Sequence, residues 1–198
     1  MIGEQGMSDR SEKTNAMRIL DARGVPYTAH YFSPQTHTAI GVANTPGLPP
    51  AQVFKTLVVM PAGQGGRPLL AIVSAHHELD LKKLAKAGGM KRLRMATHRE
   101  AEALTGLRVG GISALALLQK RWKVYLDASA QEHAEILVSA GQRGINLQLT
   151  VGDLVEITAA KVADISRPHA APLRATSTGR RWRTMVHRSP PECLAPGA

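Results

Sequence analysis

Two apolar runs, VFKTLVVM (Val53 to Met60) and PLLAIVS (Pro68 to Ser74), flank the segment PAGQGGR. Each run has strand length and is rich in aliphatic and β-branched residues, while the segment between them is rich in glycine, so the pair reads as an antiparallel hairpin with a flexible loop. Strand alternation puts Phe54, Thr56, Val58 and Met60 on one face and Val53, Lys55, Leu57 and Val59 on the other. Lys55 is therefore a cation among three aliphatic side chains. Two roles fit that position. A strand-end lysine can run its ammonium out to water along an apolar stem. Alternatively, a lysine held at a pocket wall is costly to desolvate unpaired, and a phosphate or carbonyl oxygen of a ligand is its natural partner.

The elements around the hairpin follow from periodicity and caps. TNAMRILDARG reads as a helix that stops at Gly24, with Ala16, Ile19, Leu20 and Arg23 at helical spacing and Pro26 blocking continuation. A weaker helix follows Thr38 and ends before TPGLPP. LDLKKLAKAGG reads as a helix with Asp80 as N-cap, Leu81, Leu84 and Ala85 inward, and Gly88 as terminator. THREAEALTG carries a capping box, Thr97 with Glu100. KVYLD, AEILVSA and INLQLTV read as strands, the last with Ile145, Leu147 and Leu149 inward, and Thr150 with Asp153 caps a final short helix. Hairpins with interspersed helices, rather than a βαβα rhythm, point to an α+β fold with a mixed sheet.

The chain has 198 residues, enough for one domain with a real core. Residues 1–12 and the basic Pro/Gly-rich tail 167–198 lack sustained hydrophobic period and are expected to be disordered, which leaves a domain over residues 13–166. No run approaches a membrane span and the start lacks a signal-peptide pattern, so the expected location is cytoplasmic, with no membrane partner. The single cysteine, Cys193, excludes an internal disulfide and a Cys-based metal cluster. Of the formal net charge of +10, the tail carries +5 and the first twelve residues −2, which leaves +7 on the domain itself. An anionic partner is implied.

Three further stretches bear on chemistry. In GLRVGGISALALL, Gly110 and Gly111 interrupt an apolar segment ahead of Ile112 and Ser113. A glycine-only turn explains them, and so does close backbone approach to a ligand, with N–H groups free to hold a developing oxyanion. Leu115 stands where a nucleophile elbow needs glycine, so serine-nucleophile chemistry is disfavoured. In VSAGQRGIN, Ser139 can satisfy a turn backbone, and Arg143 either solvates or meets phosphate. Lys82, Lys83 and Lys86 form either the solvated face of an amphipathic helix or a contact to an RNA backbone. The His spacings match no ligand set, no phosphate loop or dinucleotide fingerprint is present, and neither a metal nor a cofactor is expected.

Taken in order, VFKTLVV, LDLKKLAKAGG, TGLRVGGIS, ILVSAGQRGINLQL and GDLVEITAAKVADIS resemble the YbaK/EbsC family of aminoacyl-tRNA deacylases, relatives of the editing domain of bacterial prolyl-tRNA synthetase. The resemblance covers Met17 to Ser166 and implies a twisted, partly barrel-like mixed sheet flanked by helices. It implies a pocket for the terminal adenosine of tRNA and its esterified amino acid. There Lys55 binds the nucleotide phosphate or positions the ester, and the backbone of Gly110 and Gly111 with Ile112 and Ser113 lines the aminoacyl site. Phe32, Thr56, Ser139, Gly141 and Asn146 fall on further positions of that pocket, and Lys82, Lys83, Lys86 and Arg143 on the tRNA side. The implied activity is trans-editing of tRNA for proline charged with cysteine, or next with alanine, without a protein nucleophile. Aminoacylated tRNA is the implied partner and prolyl-tRNA synthetase a candidate one, with no DNA expected. The chain departs from the family pattern at Ala114, Ala140 and Asn146, which bear on the amino acid more than on the reaction. The alternative is a non-catalytic tRNA-binding or synthetase-associated module that keeps the fold.

Overall fold

The computed structural model describes residues 13–33, 39–43, 50–63 and 65–168. The two expected appendages lie outside them, apart from Arg167 and Pro168. Among the described residues, ten strands and five α-helices make an α+β fold in which the hairpin is central. Strands β2 (Phe54–Pro61) and β3 (Leu69–Ser74) pair antiparallel from Phe54 with Ser74 to Val59 with Leu69. Every residue of β3 is buried, which is why its sequence is a continuous apolar run rather than an alternating one.

A five-stranded mixed sheet is built outward from this pair. Strand β5 (Leu93–Met95) joins β2 antiparallel, and β6 (Lys123–Asp127) and β9 (Lys161–Ala163) continue parallel from β3. A second, antiparallel sheet orders β1 (Thr28–Tyr31), β8 (Ile145–Thr150) and β7 (Glu135–Ser139). Strands β4 (His77–Leu79) and β10 (Ser166–Pro168) form a separate ladder, which carries the chain beyond Ser166. The sheets do not close into a barrel. Among the described residues, one parallel bridge, Val53 to Leu137, links the two larger sheets. That bridge is what the expected partly barrel-like curvature amounts to.

The alternation read from the hairpin holds. Phe54 and Val58 enter the main core with Leu70, Ile72 and Leu126, facing Ile136, Val138, Ile145, Leu147 and Leu149 of the second sheet. Val59 joins Ala71, Val73 and Tyr125 in a second core on the opposite face, beneath Leu84 of α3 (Leu81–Gly88). Helix α1 (Asn15–Ala22) buries Ala16, Met17 and Leu20, so its apolar stripe runs through Met17 rather than Arg23, which is exposed. Helix α2 (Ala39–Ala43) lies where the weaker helix is expected. In α3 the left-handed terminator is Gly89 at φ 64°, not Gly88. Gly88 is the last helical residue and is required by space instead, since a Cβ there would come within 2.8 Å of the Tyr125 hydroxyl.

Helices α4 (His98–Thr105) and α5 (Val151–Thr158) begin as their caps dictate. At α4 the capping box is complete, and Arg94 of β5 adds a two-pronged pair to Glu100 at 2.7 and 2.8 Å. That pair, with the Thr97 N–H and hydroxyl, holds the Glu100 carboxyl at about 2. At the end of β6, buried Asp127 ties distant backbone together. Its Oδ1 accepts from the Ser129 N–H at 3.1 Å and hydroxyl at 2.6 Å, and its Oδ2 from the Ile165 N–H at 3.0 Å. Burial pushes this carboxyl up, but the hydrogen bonds outweigh it and leave its pKa lowered.

Two outcomes follow for stability. Asp127→Ala strands the buried Ile165 N–H and the half-buried Ser129 donors and is expected to cost about 2–3 kcal/mol in chemical denaturation. A carboxylate with a lowered folded pKa stabilises the fold above its unfolded pKa and loses that contribution as pH falls through the folded one. For Glu100 the contribution is expected to persist below 4.5 and to vanish toward about 2, with a carboxyl NMR titration midpoint near the latter value.

Candidate functional site

The site begins with a stretch of strand edge that has no strand partner among the described residues. The carbonyl of Val53 accepts from Ala75 N–H and so points to the β3 side, whereas the carbonyl of Val58 accepts from Ala96 N–H and points to the β5 side. Alternation between these two fixed points turns the backbone groups of Phe54 and Thr56 toward the β5 side. Strand β5, however, pairs only with Val59, Met60 and Pro61. Between the Val53–Leu137 bridge and Val58, this edge of β2 thus has no strand partner among the described residues, and the second sheet diverges from it there.

A cavity of about 700 Å³ fills the divergence. Lys55, Thr56 and Leu57 of β2 form one wall, and Met95, Ala96, His98 and Glu102 form another. Gly110 and Ile112, with Ser139, Arg143, Gly144 and Asn146 from the ends of β7 and β8, complete it. Its volume lies within the range of small-molecule sites, about 300–1,000 Å³.

Lys55 is half-buried on this wall. Its ammonium donates to the Ala75 carbonyl at 3.3 Å. Burial lowers its pKa below the ordinary 10.5, with the nearby Glu78 carboxylate pulling the other way. Glu78 is itself paired with Arg167 at 3.0 Å. The cation is therefore partly desolvated and bonded to one neutral acceptor, which leaves donor capacity for a ligand oxygen. Thr56 adds a buried hydroxyl with no hydrogen-bond partner among the described residues.

The paired glycines have different causes. Gly110 sits at φ 91°, a conformation that L side chains rarely adopt. It is the third residue of a β-turn closed by the Gly111 N–H to the Arg108 carbonyl at 2.8 Å. Gly111 is excluded from carrying a side chain by space. A Cβ there would lie 2.9 Å from the Arg143 nitrogen and 3.0 Å from the Gln142 carbonyl carbon. Across the cavity, Ser139 and Asn146 are cross-strand partners, and the Ser139 hydroxyl accepts from the Gly141 N–H at 3.3 Å.

Lys55, Thr56, Gly110, Ile112, Ser139, Arg143 and Asn146 thus meet in one cavity, although they are spread from position 55 to position 146 of the sequence. Other residues singled out in the sequence lie off its wall. Phe32 packs beside Val42, Val53, Ala75 and Leu137. Ser113 is buried with its hydroxyl unpartnered among the described residues, and Gly141 packs against Ala116. Lys83 is held by Asp164 at 2.8 Å and the Ser166 carbonyl at 2.7 Å, and Lys86 lines a separate cleft with Lys123 and Lys161. Lys82 is exposed on the same helix, on the far side of the five-stranded sheet from α4. Sequence reading passed over His98 and Glu102, because α4 was legible only through its cap. Among the described residues no cluster of His, Cys, Asp or Glu is placed to hold a metal ion, and no helix is long and apolar enough to cross a membrane.

Residues 33–157 match the model of the aminoacyl-tRNA editing domain family. A protein of Enterococcus faecalis named "Putative Cys-tRNA(Pro)/Cys-tRNA(Cys) deacylase EbsC" is 38% identical over 157 residues, 78% of this chain and 94% of its own. Proline--tRNA ligase of Staphylococcus aureus is 27% identical over 115 residues, 58% of this chain and 19% of the ligase. A solved structure described as that of "a putative trans-editing enzyme for prolyl tRNA synthetase" superposes with a TM-score of 0.66 at 28% identity, over 77% of this chain and 95% of that one. The cavity lies within the matched span, and on this evidence the chain belongs to the aminoacyl-tRNA editing domain family.

Proposed function

We propose that the protein is a trans-editing aminoacyl-tRNA deacylase that clears tRNA for proline of cysteine, and with lower preference of alanine. The observation that carries this reading is the half-buried, weakly partnered Lys55 sharing a cavity with the Gly110 turn. The names of its relatives in Enterococcus faecalis and Staphylococcus aureus point to the same tRNA.

The chemical need is general. A synthetase pocket separates near-isosteric amino acids by only ~1–3 kcal/mol, so a second, hydrolytic site must supply the remaining discrimination. No protein nucleophile is required for a cysteinyl ester. Its thiol attacks its own carbonyl, a C–S bond forms, the ester C–O bond breaks, and the thiol proton passes to the departing ribose oxygen. The products are a cyclic thiolactone and free tRNA. The protein need only hold thiol and carbonyl in line and stabilise the oxyanion. For an alanyl ester, water takes the place of the thiol.

In this cavity Lys55 contacts the terminal phosphate or the ester oxygen, and the open β2 edge and Thr56 hydroxyl receive the polar groups of the substrate. Gly110 supplies a backbone donor at the carbonyl, with Ile112 against the amino-acid side chain. Ser139 and Asn146 close the far wall. Arg143, whose two terminal nitrogens have no partner among the described residues, faces phosphate. Lys82 and Lys86 serve tRNA only by long-range attraction, and prolyl-tRNA synthetase is the candidate source of the substrate.

A panel of mischarged tRNAs tests the proposal. Cys-tRNA for proline is expected to be deacylated fastest, with thiolactone trapped as the first product. Folded protein that binds tRNA in a salt-dependent way yet hydrolyses no ester would instead identify a non-catalytic binding module. Lys55→Ala is expected to lower kcat on the order of 100-fold, the scale of losing one preorganised electrostatic contact. Wild-type turnover in that variant would remove Lys55 from the reaction.

A further inference from the structure

Both backbone groups of Val109, the residue before Gly110, are held by side chains from elsewhere in the fold. Its N–H donates to Glu102 Oε1 of α4 at 3.0 Å. Its carbonyl accepts from Arg143 Nε, in the turn between β7 and β8, at 2.7 Å. Val109 and Gly110 are the two central residues of the turn closed by Arg108 and Gly111, and a positive φ at Gly110 is what a type II turn requires. Type I and type II turns differ by rotation of the central peptide, here the one joining Val109 to Gly110. A trans peptide points its C=O and N–H in opposite directions. Whatever grips the Val109 carbonyl therefore also aims the Gly110 N–H.

We infer that Arg143 is a positioning residue that locks the Val109–Gly110 peptide in one of its two orientations, with Glu102 holding the adjoining peptide, so that the Gly110 N–H is presented as the oxyanion donor. The inference rests on the deacylase reading and adds the means by which the donor is fixed. A lock is needed because glycine takes either sign of φ at little cost, so the turn alone does not choose between its two forms. The Gly110 N–H has no partner among the described residues, and Gly110 lines the cavity. Gly111, fitted against Arg143 and Gln142 with no room for a Cβ, keeps this turn in register with the one that carries the arginine. Lysine cannot replace Arg143 in this role. It keeps the charge but lacks a rigid Nε–H beside the chain stem.

Steady-state kinetics on cysteinyl-tRNA and amide NMR of the full-length protein test the lock together, with circular dichroism as the check on folding. In Arg143→Lys, kcat is expected to fall on the order of 100-fold, as for a lost oxyanion donor, with KM little changed. The Gly110 amide resonance is expected to broaden as the peptide begins to exchange between orientations on the microsecond–millisecond scale. Glu102→Ala is expected to remove hydrogen-exchange protection from the Val109 amide, and Glu102→Gln, which keeps an acceptor oxygen, to lose less protection and less kcat. Wild-type kcat in Arg143→Lys overturns the inference. So does a fall in kcat with an unchanged Gly110 resonance, because Arg143 then acts only through its terminal nitrogens on the substrate phosphate and not through the Val109 carbonyl. If the unmodified protein hydrolyses no aminoacyl ester, the deacylase reading fails on its own. The lock is then judged by NMR, and unchanged Gly110 line width in Arg143→Lys overturns it.

Discussion

The cavity depends on a strand edge that has no strand partner among the described residues. Backbone N–H and C=O groups withdrawn from water are nearly always bonded, and exposed edges are usually covered or charged. Here β2 is anchored at Val53 by the bridge to Leu137 and at Val58 by Ala96, and between those points Thr56 turns polar backbone toward a cavity. Anchoring at both ends stops the second sheet from collapsing onto the gap. The result is a cleft lined by groups that need partners, set against a packed core that does not yield easily.

Rigidity at the cleft comes from short-range polar ties. Helix α4 is fixed by its capping box and by Arg94, which in turn sets where Glu102 projects. The β7–β8 turn is fixed by the Ser139 hydroxyl on the Gly141 amide and by the β7–β8 ladder. Glu102 and Arg143 then reach the same residue, Val109, from these two supports. A loop of glycines is soft in isolation, but one whose flanking peptide is gripped from both sides has little freedom left. The peptide that precedes Gly110 is thus held in one orientation, and fixed orientation is where electrostatic catalysis gains most.

Much of this was legible in the chain. The hairpin, the position of Lys55 among aliphatic neighbours, the Thr97–Glu100 and Thr150–Asp153 caps and the inward Ile145, Leu147 and Leu149 all follow from periods and caps, because those signals are local. The short strands β1, β4, β5, β9 and β10 escaped because three- and four-residue segments carry too little period, and their pairing is set by tertiary contacts. Gly88 and Gly89 could not be told apart, since one is required by the space beside Tyr125 and the other by its φ, and only coordinates separate the two causes. The roles of Glu102 and Arg143 at Val109 were invisible for the same reason. Thirty-four residues separate Arg143 from the carbonyl it holds.

The positive charge needs a similar separation of causes. A net +10 invites the picture of one basic face for RNA, yet the lysines of α3 lie across the five-stranded sheet from the cavity. Lys83 is committed to Asp164 and to the Ser166 carbonyl, where it fastens β10. Lys161 caps the end of α3 through the Ala87 carbonyl at 2.8 Å. These cations contribute to structure or to the long-range field, which raises encounter rates and weakens with salt. Lys55 and Arg143, by contrast, line the cleft, where they are half-buried and less screened than surface charges. The cations of the outer surface and the cations of the cleft are thus set apart by the five-stranded sheet.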